Sequence, residues 1–252
     1  MLRKLLYVLT VTAIASVSPA FAKVEVKDST IMEGYREVKF VEETPAPKPT
    51  GDEEERGYII FVRNYMERLY PNSVPKESER AEKAEIFSAP GHYEPVMVCV
   101  YALKDLKAVK VDVRDLDKDI PSANIDVRTV RFMSQKVGRD FMNHYSVIPL
   151  SLEKYTEELD IPKGTSRAYW ITVKAPDDLD KGKYKGEINI TPDGEKPGVL
   201  PLVVHIYPFK LQSPPEMIYC QLLTFEFKNI GGAKGKPRDR QIDEAEIYYR
   251  DM

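Results

Sequence analysis

The chain of 252 residues contains only two cysteines, three histidines and one tryptophan. Two cysteines cannot supply a disulfide framework or a four-thiolate zinc site, and the sequence leaves open whether Cys99 and Cys220 pair. The three histidines are far apart and belong to no metal-binding or catalytic motif. We therefore expect neither a metal nor a cofactor.

The sequence also lacks a strong net charge, because 37 basic residues stand against 40 acidic ones. A formal net charge of -3 gives no field that would hold a polyanion, so nucleic acid is not an expected partner. No apolar run reaches the ~20 residues that cross a bilayer as a helix. We therefore expect no membrane span.

Residues 1–22 have the layout of a secretory signal peptide. Arg3 and Lys4 precede an apolar stretch, and small residues then lead to Ala20-Phe21-Ala22, an A-x-A cleavage site. An anchored or buried helix is the alternative. The layout predicts cleavage after Ala22 and export to the periplasm or the cell exterior.

The remaining chain divides into three parts by composition. Residues 23–55 predict a flexible leader and a Pro/Glu-rich linker, because alternating prolines are followed by an acidic run. Residues 56–212 contain segments with strand character between turn clusters, which predicts an immunoglobulin-like β-sandwich of about eight strands. The strand segments are Tyr58–Val62, Glu94–Leu103, Val109–Val113, Ile125–Phe132, Tyr145–Leu150, Tyr169–Val173, Tyr184–Ile190 and Val199–Tyr207. Two helices are predicted near Pro75–Ala84 and Ser151–Leu159.

Residues 213–252 read as the start of a different domain. An apolar strand over 217–227 precedes a Gly- and Lys-rich loop, and a helical pattern runs to the last residue. A strand, a loop and a helix after a sandwich are typical of the first unit of an α/β domain. We expect a truncated β-loop-α start of a (β/α)8 barrel, with the rest of that domain missing from this chain.

A local signal supports the sandwich. Asp180 to Tyr184 has the D-x-G-x-Y form of a tyrosine corner, in which the tyrosine hydroxyl bonds back to the backbone. Gly182 would supply the permissive backbone and Tyr184 the ring. An ordinary hairpin with a core tyrosine is the alternative.

No strong catalytic motif is present. The Gly-rich loop near Gly235-Lys236 does not fit the phosphate-loop spacing. Asp115, Asp117 and Asp119 alternate as in a calcium loop, but Ile120 replaces the required glycine, which favours a solvated turn.

Aromatic residues are the candidates for carbohydrate binding, because sugar faces stack on flat rings. We single out Tyr65, Tyr93 and Trp170, together with Glu226 at the end of the predicted barrel strand. Core packing is the alternative for each ring, and an exposed strand-end carboxylate is the alternative for Glu226.

Three parts of the sequence resemble a known family. They are Ala89-Pro90-Gly91-His92-Tyr93-Glu94-Pro95 with Val100 to Leu106, Tyr169 to Val173 with Gly182 to Gly186, and Leu202 to Phe209 with Leu211, Pro214 and Pro215. Together they resemble the N-terminal β-sandwich of exported bacterial glycoside-hydrolase-like proteins, namely glycoside hydrolase family 123 and related proteins of unknown function. The resemblance implies a following barrel that hydrolyses glycosidic bonds with a pair of acidic residues. No residue here matches that pair, so we expect this chain not to be catalytic by itself.

These observations lead to one main hypothesis and two alternatives. The main hypothesis is a non-catalytic accessory domain that positions the barrel or its carbohydrate substrate. The alternatives are a free-standing carbohydrate-binding module and a structural cell-surface sandwich. Exposed aromatic rings on one sheet face would favour the binding module. The sugar, the linkage and the oligomeric state stay open.

Overall fold

The computed structural model describes residues 34–212, apart from 46, 115, 118, 137–142 and 156–157. These residues form eleven strands, one short α-helix and two 3-10 turns, at Glu77–Glu79 and Ser122–Asn124. The helix is α1 (Gly51–Arg56). The strands are β1 (Arg36–Glu37), β2 (Tyr58–Arg63), β3 (Ala84–Ser88), β4 (Tyr93–Ala102), β5 (Leu106–Val113), β6 (Ile125–Lys136), β7 (His144–Lys154), β8 (Leu159–Ile161), β9 (Ser166–Lys174), β10 (Gly182–Thr191) and β11 (Gly198–Ile206).

The strands form two mixed sheets, so the prediction of a mainly β domain is confirmed. Sheet A has the order β1-β7-β6-β9-β4-β2, and sheet B has the order β3-β11-β10-β5-β8. Most neighbours are antiparallel, but β1 pairs with β7 and β3 pairs with β11 in parallel. Antiparallel pairing is typical of immunoglobulin-like sandwiches, and the two parallel pairs that depart from it both involve an edge strand.

The main core lies between the two sheets. Alternate residues of β11 are buried, and they meet the inward residues of β4 and β9 in one apolar cluster. Tyr58 of β2 joins the sheets directly, since its hydroxyl lies 3.1 Å from the Ile190 carbonyl oxygen and 3.0 Å from that of Lys196. Gly198 is required beside it, because an added Cβ would lie 2.8 Å from that hydroxyl.

Sheet A carries a second apolar cluster on its outer face. Its buried members are Phe61, Leu69, Met97, Cys99, Val130, Phe132 and Ala168. Within the described residues Cys99 forms no disulfide, and burial raises the pKa of its thiol far above the ordinary value. Cys220 lies outside the described residues. Sheet A therefore packs apolar residues on both faces. A sheet with one face in water would instead carry polar residues on that face.

Part of the segment predicted as a flexible linker is structured. Thr50 and Glu53 form a capping box at the start of α1, and Gly57 ends the helix with a φ of 81°. Nearer the N-terminus, β1 extends sheet A, and the ring of Phe40 stacks on Tyr70 at 4.1 Å. The alternating prolines that suggested a linker lie between these two anchored regions.

Both predicted helices are wrong. The first region contains only the 3-10 turn Glu77–Glu79 before β3 begins at Ala84. In the second region β7 continues to Lys154, and β8 begins at Leu159. The charged residues there resemble a helical pattern, but pairing with β6 holds β7 extended. The barrel start predicted for 213–252 lies outside the described residues.

The hydroxyl of Tyr184 donates to the carbonyl oxygen of Asp180 at 2.9 Å, the bond that a tyrosine corner makes. We expect Tyr184→Phe to lower the free energy of unfolding by about 1 kcal/mol, because one hydrogen bond is lost and the half-buried ring stays. Urea unfolding measures the change. Tyr93→Phe is the control, because the exposed Tyr93 hydroxyl has no bond partner within the described residues. Equal stability of both variants would contradict a role for the corner.

Candidate functional site

A groove opens on the outer face of sheet A, above the second apolar cluster. Its volume is about 200 Å³. We call it the sheet A groove, and it is lined by Tyr65, Met66, Glu67, Arg68, Leu69, Met97, Val130, Pro149, Leu150, Ser151, Leu152 and Trp170. Met66 is 80% exposed and Leu150 is 47% exposed, so the lining includes apolar surface that a ligand can reach.

The loop after β2 forms one wall of the groove. Asn64 starts a tight turn, in which its side-chain oxygen accepts from the Met66 backbone N–H at 2.9 Å. Leu69 anchors the loop because its side chain is buried in the second cluster. These two contacts hold Tyr65 over the sheet, where its ring meets the Trp170 ring edge-on at a centroid distance of 5.6 Å.

Strand register builds the floor of the groove. Trp170 of β9 stands opposite Met97 of β4 on one side and Arg128 of β6 on the other. The β6–β7 pairing has an irregularity after Arg131, so β7 shifts its register and presents Pro149, Leu150 and Leu152 at the edge of the groove.

A buried ion pair fixes the base of the loop. Arg63 Nε lies 2.7 Å from Glu79 Oε1, and its Nη2 lies 2.9 Å from Oε2. The same Nη2 donates to the Val74 carbonyl at 3.1 Å. Burial alone would raise the pKa of Glu79, but hydrogen bonds from Arg63 and the Lys76 backbone N–H lower it below its ordinary value. The pair therefore stays ionised and ties both ends of the loop to β2.

Two of the four predicted carbohydrate contacts come together in the groove, Tyr65 and Trp170. Tyr93 lies on the same face of the sheet, because it stands four residues before Met97 in β4 and every second residue of a strand faces the same way. It lies outside the groove, 62% exposed, with the Lys174 ammonium 5.4 Å from its ring centroid. Glu226 lies outside the described residues.

Sequence reasoning missed Met66, Arg68, Leu150 and Leu152. Leu150 and Leu152 alternate in the sequence with the polar Ser151 and Glu153, which is a strand signal. The helix prediction over Ser151–Leu159 concealed it. Met66 and Arg68 lie in an irregular loop, where no periodicity indicates which side chains face a sheet.

In the part of the chain that the structure describes, the lining of the groove contains a single carboxylate. Glu67 is the carboxylate of its lining, and it pairs with Lys76 at 3.2 Å near the surface. Glycoside hydrolysis by the two-carboxylate mechanism needs two such groups facing one bond. The lining instead offers two aromatic rings, an apolar floor and the polar groups of Arg68 and Ser151.

The turn that contains Asp117 and Asp119, which the sequence compared with a calcium loop, makes contacts with the backbone. The carboxylate of Asp117 accepts the Lys185 backbone N–H at 2.7 Å, and Leu116 bridges to Ile120. Asp126 pairs with Arg128 at 2.6 Å. Within the described ranges, no group of three or more acidic, histidine or cysteine side chains is placed to hold a metal ion.

Comparison with known proteins links the domain to the family that the sequence resembles. Residues 95–192 match the model of the glycoside hydrolase 123 N-terminal domain. The matched region contains all or nearly all of β4, β6, β7 and β9, which form the floor of the groove. No curated protein matches the sequence.

Solved structures give the same indication for the fold. A family 123 glycoside hydrolase from Clostridium perfringens, described for glycolipid glycan hydrolysis, is 18% identical with a TM-score of 0.53. The match covers 61% of this chain and 28% of that chain. A weaker match is Spo0M, a sporulation control protein from Bacillus subtilis, which is 14% identical with a TM-score of 0.29; the match covers 61% of this chain and 50% of that chain. Another is a PapD-like domain of human CEP192, which is 11% identical with a TM-score of 0.29; the match covers 68% of this chain and 99% of that chain.

Among the described residues, no helix has the length and apolar character needed to cross a membrane.

Proposed function

We propose that this chain provides the non-catalytic N-terminal domain of an exported glycoside-hydrolase-like protein and helps position the carbohydrate substrate for a catalytic barrel. The observation that carries the proposal is the match of residues 95–192 to the glycoside hydrolase 123 N-terminal domain. In this proposal the two sheets are an immunoglobulin-like sandwich, residues 1–22 direct export, and residues 213–252 begin the barrel.

The sheet A groove is the site that we assign to the carbohydrate. Sugar rings bind through apolar C–H faces against aromatic side chains and through hydroxyl groups that need polar partners. Tyr65 and Trp170 form a corner rather than a flat platform, because their rings meet at 68°. A corner of about 200 Å³ is smaller than the ~300–1,000 Å³ of pockets for drug-sized ligands. The groove therefore suits one sugar unit rather than a long chain.

The single tryptophan of the chain makes this proposal directly testable, since Trp170 is the only indole and lies in the groove. We expect neutral monosaccharides or disaccharides to change its fluorescence in a saturable way. Tyr65→Ala should weaken that binding about tenfold, which corresponds to loss of one good aromatic contact. The 252-residue chain should release no product from aryl glycosides.

Tyr93→Ala is the matched control, because it removes an exposed ring from the same sheet face but outside the groove. Its affinity should equal that of the unaltered protein. A fluorescence signal that no sugar changes, or an equal loss of affinity in both variants, would contradict the assignment of the groove.

A further inference from the structure

A short N-terminal segment connects the two walls of the sheet A groove. We call residues 36–44 the strap, which begins with β1 and ends before the alternating prolines. One wall of the groove is the loop after β2, residues 64–76, which carries Tyr65, and the other is β7, which carries Leu150 and Leu152. The strap touches both walls, because its first part pairs with β7 and its second part contacts the loop.

Backbone bonds hold the strap to β7 and the residue before it. The Arg36 N–H donates to the Asn143 carbonyl oxygen, and the Val38 N–H donates to the Tyr145 carbonyl oxygen at 2.7 Å. The Ser146 hydroxyl donates to the Val38 carbonyl oxygen. The pairing is parallel and two residues long, so removing one of these bonds should weaken much of the attachment.

Three contacts hold the strap to the loop. The Phe40 ring stacks on the Tyr70 ring at a centroid distance of 4.1 Å and 9°. The Asn72 side-chain amide donates to the Phe40 carbonyl oxygen at 2.8 Å, and the Val74 backbone N–H donates to the Glu42 carboxylate at 2.9 Å. The contacted loop residues are spaced two apart, so the strap runs beside the loop instead of meeting it at one point.

Glu42 also links the strap to the buried ion pair at the base of the loop. Its carboxylate accepts the Val74 N–H, and the Val74 carbonyl oxygen accepts the Arg63 guanidinium. Partial burial alone would raise the pKa of Glu42, but hydrogen bonds from Thr44 and Val74 lower it below its ordinary value. The carboxylate is therefore ionised at neutral pH, and bonds to a charged acceptor are stronger than neutral ones.

The strap is too short for the two walls to move independently. Val38 bonds to β7 and Phe40 already contacts the loop, so Lys39 alone separates the two attachments. A step of two residues spans at most ~7 Å when fully extended. Movement of the loop away from β7 must therefore break the contacts at one end of the strap.

We propose that the strap sets the width of the sheet A groove by tying the loop that carries Tyr65 to β7. Phe40 and Glu42 are then positioning residues, because neither belongs to the groove lining and both act through the loop. The effect on sugar affinity rests on the proposed function of the groove. The effect on the position of Tyr65 against Trp170 does not.

Acrylamide quenching of Trp170 fluorescence tests the strap without any sugar, because Trp170 is the only tryptophan and the Tyr65 ring meets it edge-on. Phe40→Ala should raise the quenching constant of the folded 252-residue chain toward that of Tyr65→Ala, in which the covering ring is absent. Glu42→Ala should have the same effect. Glu42→Gln should keep most of the native value, since its amide oxygen can still accept an N–H.

Releasing the other end of the strap gives the sharper test. Val38→Pro removes the N–H that bonds to β7 and should raise the quenching constant as much as Phe40→Ala. The double variant should be quenched no more than either single variant, because either change releases the whole strap. Val38→Ala, which keeps the N–H, and Val41→Ala, at a strap position that is 75% exposed, are the controls and should match the unaltered protein.

Sugar affinity provides the second measurement. Phe40→Ala and Val38→Pro should each weaken binding about two- to tenfold, because the Tyr65 ring remains but is misplaced. A chain that binds no sugar would contradict the function proposed for the groove, and the quenching experiment would then decide the role of the strap by itself.

Three results would overturn the proposal. The first is that Phe40→Ala and Glu42→Ala lower only the midpoint of urea unfolding and leave quenching of the folded chain unchanged, which would make the strap a purely stabilising element. The second is that Val41→Ala is quenched as strongly as Phe40→Ala. The third is that Val38→Pro has no effect, or that its effect adds to that of Phe40→Ala, since the strap would then not join the two walls.

Discussion

Replacing Glu79 with alanine is expected to lower the free energy of unfolding by about 3–5 kcal/mol, because it leaves the buried Arg63 charge without its partner. Both side chains are at most 10% exposed, and Arg63 directs two nitrogens at the carboxylate. Urea unfolding measures the loss. Glu55→Ala is the control, since its exposed pair with Lys196 is screened by solvent and contributes little to stability.

The same pair makes stability depend on pH. The pKa of Glu79 is lower in the folded protein than its ordinary value, so its contribution is complete above the unfolded pKa of about 4.3. That contribution is lost as the pH falls through the folded pKa. The unaltered protein should therefore lose stability below about pH 4 more steeply than Glu79→Ala. Parallel profiles for the two proteins would contradict this account, as would a control variant that is equally destabilised at neutral pH.

Phe61→Ala should lower the free energy of unfolding by a similar amount, about 3–5 kcal/mol. Phe61 is fully buried in the second cluster beneath the sheet A groove, and the Arg63 guanidinium lies 5.5 Å from its ring centroid. Removing the ring leaves a cavity between the sheet and the loop that carries Tyr65. Urea unfolding with Trp170 fluorescence follows both the global transition and the local environment of the groove.

Phe87→Ala provides the comparison, because it deletes an equally large ring from an exposed position. Its effect on stability should stay within about 0.5 kcal/mol. If Phe61→Ala were as stable as Phe87→Ala, the outer cluster of sheet A would not be a second core. The groove would then rest on a surface that contributes little to folding.

The strands were predictable where apolar residues alternate or cluster over several positions. Each of the eight predicted segments overlaps an observed strand, and the limits of β10 and β11 are close to prediction. β3 was missed because it is short and follows a charged stretch that resembles a helix. Its burial alternates strictly, but what holds it is the distant strand β11, which local sequence does not show.

The candidate site was predictable only in part. Tyr65 and Trp170 stood out as aromatic residues, but their approach depends on the path of a loop and the β4–β9 register. The strap was predicted as part of a flexible leader, because its anchors are contacts with a distant strand and a distant loop. Such long-range partners cannot be read from local periodicity.

The bonds of the Tyr58 hydroxyl have a consequence for the order of events during synthesis. One of its acceptors, the carbonyl of Ile190, lies 132 residues later in the chain. A ribosome that adds ~5–20 residues each second needs on the order of 10 s to cover that distance. β2 emerges early but cannot complete its part of the core until β10 and the turn to β11 exist. The core between the two sheets therefore cannot close on Tyr58 until most of the domain has been synthesised.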